Sequence, residues 1–181
     1  MTSLQVQEDA AARAKRYYGK YRGTVLNNVD PMQIGRIQAI VPDVSGVVPT
    51  SWAYPCLPGA GINTGLFTVP QIGSGVWIEF EQGDPDRPIW VGGFWGSAAE
   101  VPLMAHTVPP AVDGFTLQTT LKNGIVVSDV PGPTGGILIQ TTTGAMISVS
   151  DVGIVISNGK GATINMVGPS VDVNLGALTV I

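Results

Sequence analysis

Phe67 to Gly96 reads FTVPQIGSGVWIEFEQGDPDRPIWVGGFWG and holds three of the four tryptophans. Val76, Ile78 and Phe80 alternate with Trp77, Glu79 and Glu81, and a period of two in β-branched and aromatic residues predicts a strand packed on at least one face. Gly73-Ser74-Gly75 opens that strand. Gln82-Gly83-Asp84-Pro85-Asp86-Arg87-Pro88 closes it, since glycine supplies positive φ, proline has no N–H for a ladder and aspartate favours local turns. Ile89-Trp90-Val91 returns as a second strand, and Gly92-Gly93 lets the backbone bend before Phe94-Trp95-Gly96. The stretch is a hairpin in a small, aromatic-rich sheet.

Upstream, the pattern is also β. Tyr21 to Leu26 reads as a first strand with Asn27 to Pro31 as its turn. Ile34 to Val41 alternates and stops at Pro42, Trp52 to Cys56 makes a short third strand, and Leu66 to Val69 a further one after the Gly59 to Gly65 loop. About five strands result, enough for a small closed barrel. The blocks GRIQAIVPDVSG (Gly35 to Gly46), SWAYPCLPGAG (Ser51 to Gly61), GLFTVPQIGSG (Gly65 to Gly75) and GVWIEFEQGDPDRPIWVGGFW, in that order, resemble the phage baseplate assembly protein V and VgrG family, the central spikes of contractile tails and injection systems. The resemblance spans roughly Tyr18 to Gly96 and implies an OB-fold barrel in a trimeric spike.

Composition sets the outer limits. Charged residues make up 12% of the 181, about half the usual share, beside 24 glycines and 14 prolines. Such a chain is β-rich with unusually apolar surfaces, which partners normally cover. A net charge of −4 opposes nucleic-acid binding, which needs a basic stripe. Lys15, Arg16, Lys20 and Arg22 cluster with Tyr17, Tyr18 and Tyr21, but nothing downstream continues that patch, so it reads as a solvated or hub-docking surface. Cys56 is alone, which excludes an intramolecular disulfide, and its apolar neighbours predict a small buried hydrophobe. The N-terminus has no apolar signal region, and no apolar run reaches membrane-spanning length. The expectation is synthesis in a cytoplasm and incorporation into a phage-tail-like particle that pierces a target membrane only transiently.

Residues 1–18 form the first segment, with Leu4 to Arg16 suited to a short hub-docking helix. The OB-fold barrel is expected over 19–96. Ser97 to Pro110 carries three prolines and the single histidine, so residues 97–113 read as a linker. Over 114–181 short apolar groups recur between turn formers: Ile125-Val126-Val127, Ile137-Leu138-Ile139, Ile147-Ser148-Val149, Ile154-Val155-Ile156, Ile164-Asn165-Met166, Val171-Asp172-Val173 and Leu178-Thr179-Val180. Charges are sparse beyond Leu117: Lys122, Asp129, Asp151, Lys160 and Asp172. Repeated rungs too thin to bury their own face predict a solenoid or β-helix. Three chains about one axis would turn Ile137, Ile139, Ile147, Val149, Ile154, Ile156, Ile164, Met166, Val171 and Val173 inward. An intertwined β-helix or β-prism after the barrel is also what the resemblance implies.

Candidate chemistry is thin. Glu79, Glu81, Asp84 and Asp86 form the one acidic cluster, yet they sit on a strand face and in a Pro-flanked turn, which suits solvated structural residues better than acid–base catalysis. Gly59-Ala60-Gly61 and Gly73-Ser74-Gly75 neither open a helix nor precede Lys-Ser/Thr, so they are not phosphate loops. His106 has no second histidine or spare cysteine for a triad or zinc site. Some relatives carry a lysozyme domain between barrel and needle, and Gly96 to Asp113 is too short for one. The expectation is therefore a non-enzymatic homotrimer without cofactor or metal, attached to hub and tube proteins. Leu178, Val180 and Ile181 would form a blunt apolar end that fits a separate tip protein of the PAAR-repeat kind. The competing readings are an OB-fold module binding single-stranded nucleic acid or saccharide, and an envelope-degrading enzyme.

Overall fold

The computed structural model describes residues 15–180, with side chains as far as 178. The helix expected at Leu4 to Arg16 falls mostly outside the described residues, and Lys15 to Tyr18 are not helical. The chain divides into two compact units at Ala98/Ala99.

The first unit is an OB-like curled sheet. Its strands are β1 (Tyr21–Asn27), β2 (Gln38–Ile40), β3 (Tyr54–Pro55), β4 (Ala60–Gly61), β5 (Thr64–Gly65), β6 (Gly75–Phe80) and β7 (Pro88–Phe94). The sheet order is β2-β1-β6-β7-β3, antiparallel except where β3 runs parallel to β7. A bridge between Ile37 and Ala53 brings the lead-ins of the two outer strands together. The β6–β7 hairpin read from the sequence is the spine of this unit, with Ile78 opposite Trp90 and a bulge between Trp77 and Ile78. Alternate residues face a core of Val25, Ile37, Ala39, Val41, Ala53, Val76, Ile78, Phe80 and Trp90. The buried indole of Trp90 donates Nε1–H to the Gly35 carbonyl at 3.0 Å, as a buried ring nitrogen must.

Three readings need correction here. Strand pairing covers only Gln38–Ile40 of the expected Ile34 to Val41 run, because Ile34 and Arg36 spend their N–H groups on the Asp30 carboxylate. Pro42 then starts a helical turn, α1 (Pro42–Ser45), where its missing N–H is no loss. Leu66 to Val69 is not a strand; the chain pairs at Thr64–Gly65, in a separate two-stranded hairpin. Cys56 is exposed rather than buried, and its backbone N–H pairs with the Trp90 carbonyl at 2.9 Å.

The second unit is one antiparallel meander of eight strands: β8 (Gly114–Gln118), β9 (Gly124–Ser128), β10 (Gly136–Gln140), β11 (Met146–Ser150), β12 (Gly153–Ser157), β13 (Thr163–Val167), β14 (Ser170–Val173) and β15 (Leu178–Val180). Each strand pairs with the next in sequence, so within one chain the repeat is a ladder of hairpins rather than a solenoid. The stretch read as a linker contains two 3-10 turns, Ala98–Glu100 and Leu103–Thr107. The second caps the first hairpin: the Met104 N–H donates to Gln118 Oε1 at 2.9 Å. A Cβ on Gly124 would lie 2.7 Å from the Leu117 carbonyl oxygen as well as 2.6 Å from the Met104 sulfur, and the backbone contact is the one that holds this position to glycine.

Candidate functional site

The meander's register decides which side chains share a face. Phe115 stands opposite Val127 and Leu117 opposite Ile125, and Ile137 and Ile139 face Val127 and Ile125 on one side and Val149 and Ile147 on the other. The column continues through Ile154 and Ile156, Met166 and Ile164, and Val171 and Val173, to Leu178. Partners in an antiparallel ladder point the same way. All ten residues expected in the core therefore lie on one face, two per strand, in a stripe that seven strand spacings make roughly 34 Å long.

That face is uncovered in the single chain. Phe115, Leu117, Ile137, Ile139, Ile147, Val149, Ile156, Ile164 and Leu178 are between 38% and 59% exposed. The reverse face is mixed: its matching central positions carry Thr116, Ser148, Asn165 and Asp172 together with Val126, Leu138 and Val155, of which Val126 is buried. Leu178 ends the column, Val180 pairs with Val171 on the last strand, and Ile181 lies outside the described residues.

Like the face, the edges of the meander are ordered. Three turns on one lateral edge repeat the same five-residue bond, from Thr119 to Asn123, Thr141 to Ala145 and Asn158 to Ala162, at 2.9, 2.9 and 3.1 Å. They are tied to one another along the edge: the Thr142 N–H donates to Asn123 Oδ1 at 3.0 Å, and Gly159 packs against the Gly144 backbone.

The first unit offers charge and aromatics but no converging reactive groups. Glu79 pairs with Lys20, Glu81 with Arg87 at 2.8 Å and Asp84 with Arg16 at 3.9 Å, so the acidic cluster and the basic patch largely neutralise each other. Arg22 lies over the rings of Trp77 and Phe94 at 5.0 and 4.6 Å. One buried pair stands apart. Asp30 accepts from Arg36 Nε and Nη2 at 3.0 and 2.6 Å and from the N–H groups of Met32, Ile34 and Arg36. The guanidinium beside it, helped by those N–H groups, holds the Asp30 carboxyl well below the usual carboxylate range, and the carboxylate in turn raises Arg36. This pair anchors the loop before β2. His106 is exposed in the Leu103–Thr107 turn, and among the described residues no three His, Cys, Asp or Glu side chains gather to hold a metal. Among the described residues no helix is long and apolar enough to cross a membrane.

Two family models cover these units. Residues 21–95 match the type VI secretion system/phage-baseplate injector OB domain, and residues 114–179 match the phage baseplate V C-terminal trimerisation domain. The chain belongs to the phage baseplate V family. Among curated proteins none matches it. Baseplate V domains are structural and non-catalytic, which agrees with a site made of an apolar face instead of reactive side chains. Their order, OB unit then trimerisation unit, is the order of the two sheets here. Sequence reasoning left Phe115, Leu117, Ile125 and Val127 out of the core set although they continue the same alternation. It also missed the Asp30–Arg36 anchor, whose signal is an aspartate-proline turn six residues before an arginine.

Proposed function

We propose that this protein is a homotrimeric central spike of a contractile-tail or injection-system baseplate. One observation carries the reading: a contiguous apolar stripe that runs the length of the second unit and stays in water in a single chain. Soluble monomers rarely leave such a stripe uncovered. Three copies turned inward bury it completely, with Ile137, Ile139, Ile147, Val149, Ile154, Ile156, Ile164, Met166, Val171 and Val173 as the shared interior of a β-prism. The match to a domain described by its trimerisation supports the same count. The OB-like units then bind hub and tube proteins, and the prism carries the thrust of sheath contraction to the tip. Its stiffness comes from continuous hydrogen-bonded strands, and its resistance to unfolding from a core no chain holds alone. The particle is phage-tail-like and assembled in a cytoplasm.

Substitution on the two faces separates this from an OB module acting as a monomer. In the full chain, Ile147→Asp places three carboxylates in the shared interior and is expected to abolish the trimer by light scattering, whereas Ser148→Asp, one residue along on the reverse face, leaves it intact. Equal behaviour of the two variants contradicts the reading. At the far end, a PAAR-type tip protein seats on Leu178, Val180 and Ile181. Deleting residues 177–181 is expected to end co-purification with that protein; retained binding rejects this docking site.

A further inference from the structure

Two leucines of the meander stand in turns, where polar residues and glycine are the rule. Leu121 is 69% exposed and Leu175 is 84% exposed. Leu175 also has φ +55, next to Asn174 at φ +51. A branched apolar side chain in the left-handed region is strained, and within the chain Leu175 gains no burial that offsets the strain. Both leucines sit on the same lateral edge, which carries the β8–β9, β10–β11, β12–β13 and β14–β15 turns. The opposite edge carries the β9–β10, β11–β12 and β13–β14 turns, with Val167 57% and Val152 52% exposed beside exposed Pro131 and Pro169.

The alternation of a meander fixes how two such edges meet. Turns on each edge recur every two strands, roughly 9.6 Å, and the two edges are offset by one strand. In a closed threefold ring each copy is related to the next by rotation without translation, so one edge meets the neighbour's opposite edge at the same height. The turns of one copy then fall in the gaps between the turns of the next.

We propose that the two lateral edges form a heterologous seam between neighbouring copies of this chain, with Leu175 seated against Val167 and Pro169 of the next copy and Leu121 against its Pro131. The occupant is a second copy because the fit follows from the chain's own offset, and because the seam adjoins the apolar face at both margins. The seam rests on the trimeric reading. It adds to it a lateral lock that holds the prism's corners and fixes the vertical register of the three chains.

Cysteine pairs in the full chain test it, on a Cys56→Ser background. Leu175→Cys with Pro169→Cys, and separately Leu121→Cys with Pro131→Cys, are oxidised and run on a denaturing gel without reductant, with native mass spectrometry on the same samples. Within one chain, positions 169 and 175 flank β14 at roughly 17 Å, too far for a disulfide. The double variants are expected as covalent dimers and trimers, and each single variant as one chain. A native trimer whose double variants yield no covalent species, or a covalent dimer from Leu175→Cys alone, overturns the seam and leaves the trimer standing. A native mass of one chain in the Cys56→Ser parent overturns both. Leu175→Asn gives an independent sign: asparagine relieves the left-handed strain, so a solvent-exposed turn gains thermal stability, whereas the seam loses an apolar contact and trimer dissociation moves to lower temperature. A rise in that temperature also overturns the seam.

Discussion

Asp30 accepts five hydrogen bonds, three from backbone N–H groups and two from Arg36, whose guanidinium also lies 5.4 Å from the Trp52 ring and 5.6 Å from Tyr54. A carboxylate so surrounded binds its proton only at unusually low pH. Because its folded-state pKa lies below the unfolded value of about 3.9, the stabilisation it brings is complete above that value and disappears as pH falls through the lower, folded-state pKa. Asp30→Asn removes the charge and two acceptor positions while Arg36 stays where it is. The variant is expected to melt earlier than the parent at pH 7, with the gap closing only well below pH 4. Tryptophan fluorescence reads this cleanly, since Trp52, Trp77, Trp90 and Trp95 all belong to the first unit. A gap unchanged down to the acid transition would show that the charge is not what matters. None of this was visible in the alternation of apolar residues, which is blind to a loop held by side-chain bonds. The same blindness turned the neighbours of Cys56 into a false sign of burial: apolar company in sequence does not say that a residue just past a two-residue strand is covered.

Whole strands were far more legible than single contacts. The β6–β7 hairpin follows from Val76, Ile78 and Phe80 alternating into a Gly-Asp-Pro turn, and the rungs from Ile137 to Val173 follow from the same period. The order of pairing was not legible, because thin rungs at seven- to nine-residue spacing suit a solenoid as well as a meander. The deciding feature is the turns. Gly159, at φ +70, packs so tightly on the Thr143 to Ala145 turn that a Cβ would lie 2.6 Å from Thr143 O and from the Gly144 carbonyl carbon. Gly159→Ala therefore adds left-handed strain and a backbone clash at once. A loss of about 1–3 kcal/mol is expected, measured as a lower urea midpoint by circular dichroism, and an unchanged midpoint would mean that the turns do not stack.

At the scale of the whole molecule, the two units solve the burial problem differently. The first closes a core around Ile37, Ile78 and Trp90 within one chain. The second has Val126 as its only buried hydrophobic among the described residues and presents an apolar pair from strand after strand along one open face. A strand ladder of five-residue rungs has no second layer of its own, and a sheet face needs another layer to leave water. In the proposed trimer, threefold company would provide that layer and turn the ladder into a rod, the property a spike requires. The central claim is the number of chains, and native mass spectrometry of the full-length protein measures it most directly. The account requires a species of three times the 18.8 kDa chain mass that persists on dilution; a soluble, folded single chain as the sole species would contradict it.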